Sequence, residues 1–434
     1  MTSNELQVVY ANVSSLRPCA HNARTHSKHQ IRQIAESIKS FGFTNPVLTN
    51  NSMMIVAGHG RVEAAKLLRM NSVPTIKLEN LSDDQLRAYI LADNKLAENA
   101  GWDRAILAIE LQNLLTLEDF DVTTTGFEIP EIDIILEEQS QTIDKDDEVP
   151  VVTGPALTRE GDLWELGKHR IYCGNSLHED SFKALLGNRK AAVVFSDPPY
   201  NLPIDGNVCG KGSIHHREFE MASGEMSETE FVAFLERSMR LVARYSTSGS
   251  IHFLCMDWRH MKELLAAGNE VYKSLLNVCV WVKDNGGMGS FYRSRHELVF
   301  VFRNGAESHR NNVQLGRFGR NRTNVWEYPG VNTLSRRGEE GNLLALHPTV
   351  KPVPLIADAL LDCSARGEIV LDAFLGSGST LIAAERIGRI CHGIEIDPLY
   401  VDVAIQRWQQ LTGESAVNSK TRMTYDGLKE KAHG

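Results

Sequence analysis

The hexapeptide Ser196-Asp197-Pro198-Pro199-Tyr200-Asn201 has the residue types best suited to act on an aromatic amine. The exocyclic amino group of a nucleobase is a poor nucleophile, because its lone pair is delocalised into the ring. A carboxylate at Asp197 and the main-chain carbonyl of Pro198 can accept its two hydrogens. That contact draws the nitrogen towards a tetrahedral, reactive shape, a stabilisation that develops mainly in the transition state. Pro198 and Pro199 fix φ and bring no competing N–H donor. Tyr200 offers a flat face on which an unstacked base can rest.

A second constellation lies downstream. Asp372 and Phe374 close an apolar run and lead into Gly376, Gly378, Ser379 and Thr380, followed by an apolar helical stretch. Glycines there let the backbone approach a ligand closely. Glu395 ends the next apolar run, where an acidic side chain commonly binds ribose hydroxyls. The spacing is not the Gly-x-Gly-x-x-Gly fingerprint, and no partner motif for hydride chemistry accompanies it. Near the N-terminus, Gly58-His59-Gly60-Arg61 opens a helical pattern and could hold a phosphate through backbone N–H groups and a guanidinium.

These groups need elements to position them. Ala191 to Phe195 reads as a buried parallel strand with Asp197 at its carboxyl end, where open α/β sheets place ligands. Strands are also expected at Pro46–Thr49, Met54–Ala57, Val73–Leu78, Arg170–Cys173, Ile251–Cys255, Leu276–Val282, Glu297–Phe302, Ile369–Phe374 and Ile390–Ile394. Ser27, Ser82 and Ser227 are helix N-caps, the last two within capping boxes. Asp103 opens a helix whose expected apolar stripe is Ile106, Leu107, Ile109, Leu111 and Leu114, and another short helix is expected over Ile132–Leu136. An acidic run followed by Pro150, Gly154 and Pro155 reads as a linker. The resulting division is 1–136, a linker over 137–160, a catalytic domain over 161–415 and a polar tail over 416–434.

Between residues 303 and 346 the charge turns positive. Arg310, Arg317, Arg320, Arg322, Arg336 and Arg337, interleaved with Trp326 and Tyr328, form a candidate DNA-contacting insertion. The polar loop carrying Lys211, His215, His216 and Arg217 is a second DNA-facing candidate rather than a metal site. A net charge of −9 argues against general polyanion binding by the whole surface. Seven dispersed cysteines without a Cys-x-x-Cys pair point to reduced thiols. The first ten residues lack the pattern of an export signal, and no apolar run is long enough to span a membrane, so a cytoplasmic location is expected.

Asp-Pro-Pro-Tyr at 197–200, taken with Phe374-Leu375-Gly376-Ser377-Gly378-Ser379-Thr380, resembles the amino-methylating DNA methyltransferases. The resemblance implies a Rossmann-like α/β sheet that binds S-adenosyl-L-methionine. The catalytic motif precedes the cofactor motif, which resembles the circularly permuted β-class order. His347-Pro348-Thr349-Val350-Lys351-Pro352 is similar to the helix-start motif of that class, implying that Lys351 helps hold the methionine end of the cofactor. The family usually has Gly-Asp before the catalytic strand. Here Gly174-Asn175 stands there, and Asn175 keeps an acceptor oxygen near the cofactor's adenine. The segment from Asn22 through Gly58-His59-Gly60-Arg61 to Lys95 resembles the ParB-like N-terminal domain, and lacks the cysteine that sulfiredoxins need in this turn.

The resemblance therefore implies a site-specific methyltransferase acting on double-stranded DNA. Asp197 and Pro198 would accept from a flipped target, and Tyr200 would stack on it. Asp-Pro-Pro-Tyr favours the 6-amino group of adenine, with the 4-amino group of cytosine as the alternative. A ParB-type DNA or nucleotide-binding adaptor, with the methylase half as scaffold, is the reading from a different class. A restriction-modification role and a homodimer are compatible with both halves.

Overall fold

The computed structural model describes residues 6–117, 120–139, 154–201, 222, 224–284, 286, 291–314, 320–330 and 350–433. The chain forms two compact units, 1–139 and 140–434. Among the described residues, no helix is long and apolar enough to cross a membrane. Described cysteines are free and buried.

In the first unit, β1 (Val8–Asn12), β2 (Val47–Thr49), β3 (Ile55–Ala57) and β4 (Ser72–Lys77) form a sheet in the order β1-β4-β2-β3. Helix α1 (Lys28–Phe41) begins where Ser27 accepts the Gln30 N–H, and α2 (His59–Leu67) follows the left-handed Gly58. Helix α3 (Asp83–Glu98) starts with the expected capping box between Ser82 and Gln85.

Helices α4 (Arg104–Leu115) and α5 (Ile129–Gln139) then share a core of Leu107, Ala108, Leu111, Val122, Ile132 and Ile135. The buried stripe of α4 differs from expectation: Ile106 and Ile109 are each 60 % exposed. The seam runs through positions i, i+1 and i+4 because α5 and the short turn at Val122 cover that side only.

The second unit is a mixed sheet. Its strands are β5 (Leu163–Leu166), β6 (His169–Cys173), β7 (Ala191–Ser196), β8 (Ser246–Met256), β9 (Ser274–Val282), β10 (His296–Arg303), β11 (Val325–Glu327), β12 (Ile369–Asp372), β13 (Ile390–Glu395) and β14 (Val417–Asn418). Among the described residues their order is β11-β9-β10-β8-β7-β12-β13-β6-β5-β14. The central strands β8, β7, β12, β13 and β6 are parallel, whereas β10 pairs antiparallel with β8 and β9.

Both faces of the sheet are covered, so residues of the central strands alternate between two cores. Val193 and Phe195 of β7, Val370 of β12 and Cys391 of β13 pack with α9 (Val353–Cys363), α10 (Ser379–Arg386) and α11 (Pro398–Thr412). Val194, Leu371 and Ile394 point the other way, towards α6 (Glu179–Leu186) and Val242 of α7 (Glu228–Arg244). Helix α8 (Met261–Val271) completes that second face beside β8 and β10. The carboxyl ends of β7, β12 and β13 consequently share one edge, where Asp197, the glycine turn and Glu395 emerge.

Candidate active site

The turn after β7 closes on itself through side chains. Tyr200 donates its hydroxyl hydrogen to Asp197 Oδ1 at 2.6 Å and lies 3.2 Å from Glu297 Oε2. Lys351 Nζ reaches Asp197 Oδ2 at 2.5 Å, Glu297 Oε2 at 3.0 Å and the Tyr200 hydroxyl at 3.1 Å. Lys283, from the end of β9, forms a second ion pair with Glu297 and sits 4.5 Å from the Trp281 ring centroid. Two carboxylates thus share two ammoniums in a buried cluster. Burial raises the pKa of Asp197, against the pull of Lys351. Burial also opposes charge on Glu297, but Lys351 and Lys283 outweigh it and hold that group at about 2. Burial works against the Lys351 ammonium too, and the two carboxylates more than restore it.

Glu297 and Lys283 were not among the expected site residues. The available signal is a glutamate at the head of the apolar run of β10, since an unpaired acid does not belong in a buried strand.

The second motif is joined to the first. Ser196 Oγ donates to Asp372 Oδ1 at 3.2 Å and accepts from Ala373 N–H at 3.3 Å. Asp372 also accepts from Phe374 N–H and, at 2.6 Å, from the Thr380 hydroxyl. Burial raises Asp372 to about 6. Glu395 accepts from Gly376 N–H at 2.7 Å and from Asp397 N–H at 2.9 Å, and burial raises it to about 7. Arg407 of α11 donates to Ser377 O and lies 3.2 Å from Ser379 Oγ.

Residues 191–406 match the DNA methylase family, and residues 1–95 match the ParB N-terminal domain. The chain belongs to the N6/N4 DNA methylases, with a ParB N-terminal domain fused ahead of the methylase. The methylase half is 27 % identical over 249 residues to the type II methyltransferase M2.LlaDCHI of Lactococcus lactis subsp. cremoris, covering 53 % of this chain and 87 % of that protein. The N-terminal part is 55 % identical over 83 residues to the ParB-like nuclease domain-containing protein YnaK of Escherichia coli K12, covering 19 % of this chain and 95 % of that protein. The crystal structure of the PvuII DNA methyltransferase (cytosine-N4-specific) superposes with a TM-score of 0.43 at 16 % identity, over 56 % of this chain and 86 % of that one. Residues 105–160, read from sequence as a helical extension and linker, match the ParB-methyltransferase HTH domain.

Methylases of this family draw the methyl group from S-adenosylmethionine. The turn after β12 fits such a molecule. Gly376 adopts φ 54° and Gly378 φ 84°, leaving bare backbone at the mouth of the turn. Each Glu395 oxygen keeps a lone pair beyond its backbone contact, as two neighbouring hydroxyls would require. A Cβ at Gly378 would lie 2.8 Å from Ala404 Cβ. Gly378→Ala is therefore expected to destabilise the methylase unit by about 1–3 kcal/mol and to weaken cofactor binding. Thermal melts with and without S-adenosylmethionine would measure both effects.

Several expected cofactor residues have contacts within the protein. Lys351 is placed at the Asp197 carboxylate. Its Nζ faces Asp197, Glu297 and Tyr200. Asp372, Ser379 and Thr380 brace the turn through the bonds given above. Asn175 Oδ1 accepts the Leu177 N–H, so its acceptor oxygen shapes the loop after β6.

The arginine-rich stretch also divides. Arg320 and Arg322 do not face DNA: they pair with Asp358 and Asp362 of α9, and their side chains are 8 % and 19 % exposed. Neutralising two buried acids holds them inside. Trp326 is likewise a core residue, and Tyr328 is bound to Asp358 and Arg322. Arg310 stays half exposed, 3.0 Å from Glu368. Arg317, Arg336, Arg337, Lys211, His215, His216, Arg217 and the first three residues of the 347–352 motif lie outside the described residues.

In the first unit a cavity of about 240 Å³ is lined by Gly58, His59, Gly60 and Arg61 together with Arg24, His26 and Asp93. His59 Nε2 accepts the Cys19 N–H at 3.2 Å, and burial lowers its pKa, so a neutral ring caps that backbone. Arg61 Nη2 lies 3.3 Å from Pro46 O, while its Nε is buried without a partner.

Proposed function

We propose that this methylase transfers a methyl group from S-adenosylmethionine to the 6-amino group of adenine in double-stranded DNA, on a base turned out of the helix. One observation carries the reading: Ser196 Oγ ties the Asp197 turn directly to Asp372 at the base of the glycine turn. Acceptor and donor subsites therefore lie side by side at one sheet edge. The cofactor supplies an electrophilic methyl carbon. The protein supplies the geometry around the nitrogen that attacks it. Asp197 has a lone pair left on each oxygen after meeting Tyr200 and Lys351, and one of these accepts from the target amine. The Pro198 carbonyl accepts the second hydrogen. Once methylated, the nitrogen is cationic and sheds a proton, for which Asp197, its acidity weakened by burial, is a ready acceptor.

Gly376, Gly378 and Phe374 line the cofactor, and Glu395 receives its ribose hydroxyls. Because Glu395 is raised to about 7, its carboxylate form accumulates above that pH. Cofactor affinity is expected to increase as pH rises from 6 to 8, and Glu395→Gln to flatten the dependence. Isothermal titration at several pH values reads this directly.

The choice of adenine rests on Asp-Pro-Pro-Tyr, which within a family that also contains cytosine-directed members favours adenine. Incorporation of labelled methyl groups into genomic DNA, followed by digestion to nucleosides, tests it: 6-methyladenine supports the reading, 4-methylcytosine replaces it, and no label in DNA removes it. The order of motifs along the chain supports the permuted β-class arrangement. In the ParB domain, the cavity at Gly58-His59-Gly60-Arg61 supports nucleotide binding there. Titration with each nucleoside triphosphate, and its loss in Arg61→Ala, is the check. A protein acting on chromosomal DNA would work in the cytoplasm.

A further inference from the structure

The loop between β9 and β10 begins and ends in the catalytic cluster. Lys283 at one root and Glu297 near the other are paired, and the Lys283 N–H bonds Arg295 O at 2.8 Å. Register fixes its direction. Ser196 of β7 pairs with Leu254 of β8, and Met256 of β8 with Leu298 of β10. Residues ahead of His296 therefore project beyond the same edge that carries Asp197.

On this projection sit Phe291 and Tyr292, 86 % and 82 % exposed. Their rings meet at 4.4 Å between centroids in a T-shaped contact. Arg293 Nη2 bonds Gly286 O at 2.8 Å, which anchors the loop beside them, and Arg295 is also exposed. Glu297 follows Tyr292 by five positions, so the tip lies within about 18 Å of it even fully extended. Two adjacent bare aromatic rings are costly to leave in water unless something covers them. Their cationic neighbours and their place beside the catalytic turn favour a polyanion with flat apolar rings inside it.

We propose that Phe291 and Tyr292 form a wedge that enters the duplex beside the target and fills the gap left when a base swings into the site. The inference rests on the base-flipping reading of the preceding section. A vacated position exposes the faces of the neighbouring base pairs, and aromatic rings replace the lost stacking. In a paired duplex the stacking gained by the wedge is offset by the cost of opening the target, so its contribution shows most where the position is already vacant.

The test compares two fluorescein-labelled duplexes of one sequence, fully paired or with a single abasic position, by anisotropy. Wild type is expected to bind the abasic duplex about fivefold tighter or more. Phe291→Ala/Tyr292→Ala is expected to lose that preference while binding S-adenosylmethionine as wild type does. Persistence of the preference in the variant, or its absence in wild type, overturns the wedge. An equal loss of affinity for both duplexes also overturns it, making the rings a general contact. Methyl incorporation into genomic DNA by wild type is measured in parallel. Preference for the abasic duplex without incorporation would uphold the wedge and sink the methyl-transfer reading. Incorporation without the preference would do the reverse.

Discussion

Asp197→Asn is expected to lower methyl incorporation into DNA by about 10²–10³-fold, the usual loss when a group that meets developing charge is neutralised. The substitution keeps the shape of the side chain and an acceptor oxygen. It removes the negative charge that draws the amine's hydrogens away as its nitrogen becomes cationic. Folding should survive, because Lys351 retains Glu297 as a counter-ion at 3.0 Å. Cofactor affinity should stay near wild type, since the glycine turn and Glu395 are untouched. Single-turnover incorporation together with a cofactor titration separates the two effects. Loss of both together would mean that Asp197 supports the fold and not the reaction.

Lys351→Met is expected to produce the largest loss of stability, about 3–5 kcal/mol, as befits an ion cluster left with an uncompensated charge. Asp197 and Glu297 are both buried against the same ammonium, and Lys283 reaches only Glu297. Without Lys351, at least one acid must take up a proton or draw in water. In the intact protein Glu297 is held at about 2 against an ordinary 4.5. Its contribution is therefore present above pH 4.5 and is lost as the pH falls through 2. Lys351→Met should move that loss towards neutral pH. Adding Asp197→Asn, which neutralises the acid that Lys283 does not reach, should recover part of the stability, giving a double-mutant coupling that urea melts at pH 5 and 8 can resolve. Equal additive losses at both pH values would show that the lysine acts by packing alone.

The Asp197 turn and the glycine turn were legible because their signals are local. An apolar run that stops at Asp-Pro-Pro-Tyr marks a strand and its edge within ten residues, and so does one that stops at Asp372 before two glycines. The same holds for Ser27, Ser82 and Ser227, whose caps reach only three residues ahead. The partners of Asp197 were less legible. Lys351 is 154 residues away and Glu297 is 97 residues from Tyr200, so only the folded sheet brings them together. Charge counting misled at Arg320 and Arg322 for the same reason. Their acids, Asp358 and Asp362, stand one turn apart on α9 in a different part of the sequence. The exposed pair at Phe291 and Tyr292 has no local pattern to distinguish it from core aromatics. Exposure is what sets it apart.

The clasp between Arg320, Arg322 and α9 bears on where segments could be exchanged between relatives. An exchange of segments between relatives that cut the chain at Arg303 would remove both guanidiniums and strand Asp358 and Asp362 in the interior. It would also discard Trp326, which packs with the central core. A chimera joined after Tyr328 and before Val350 would keep that clasp whole and swap only the intervening stretch. Such grafts should yield folded protein, whereas the longer exchange should yield inclusion bodies.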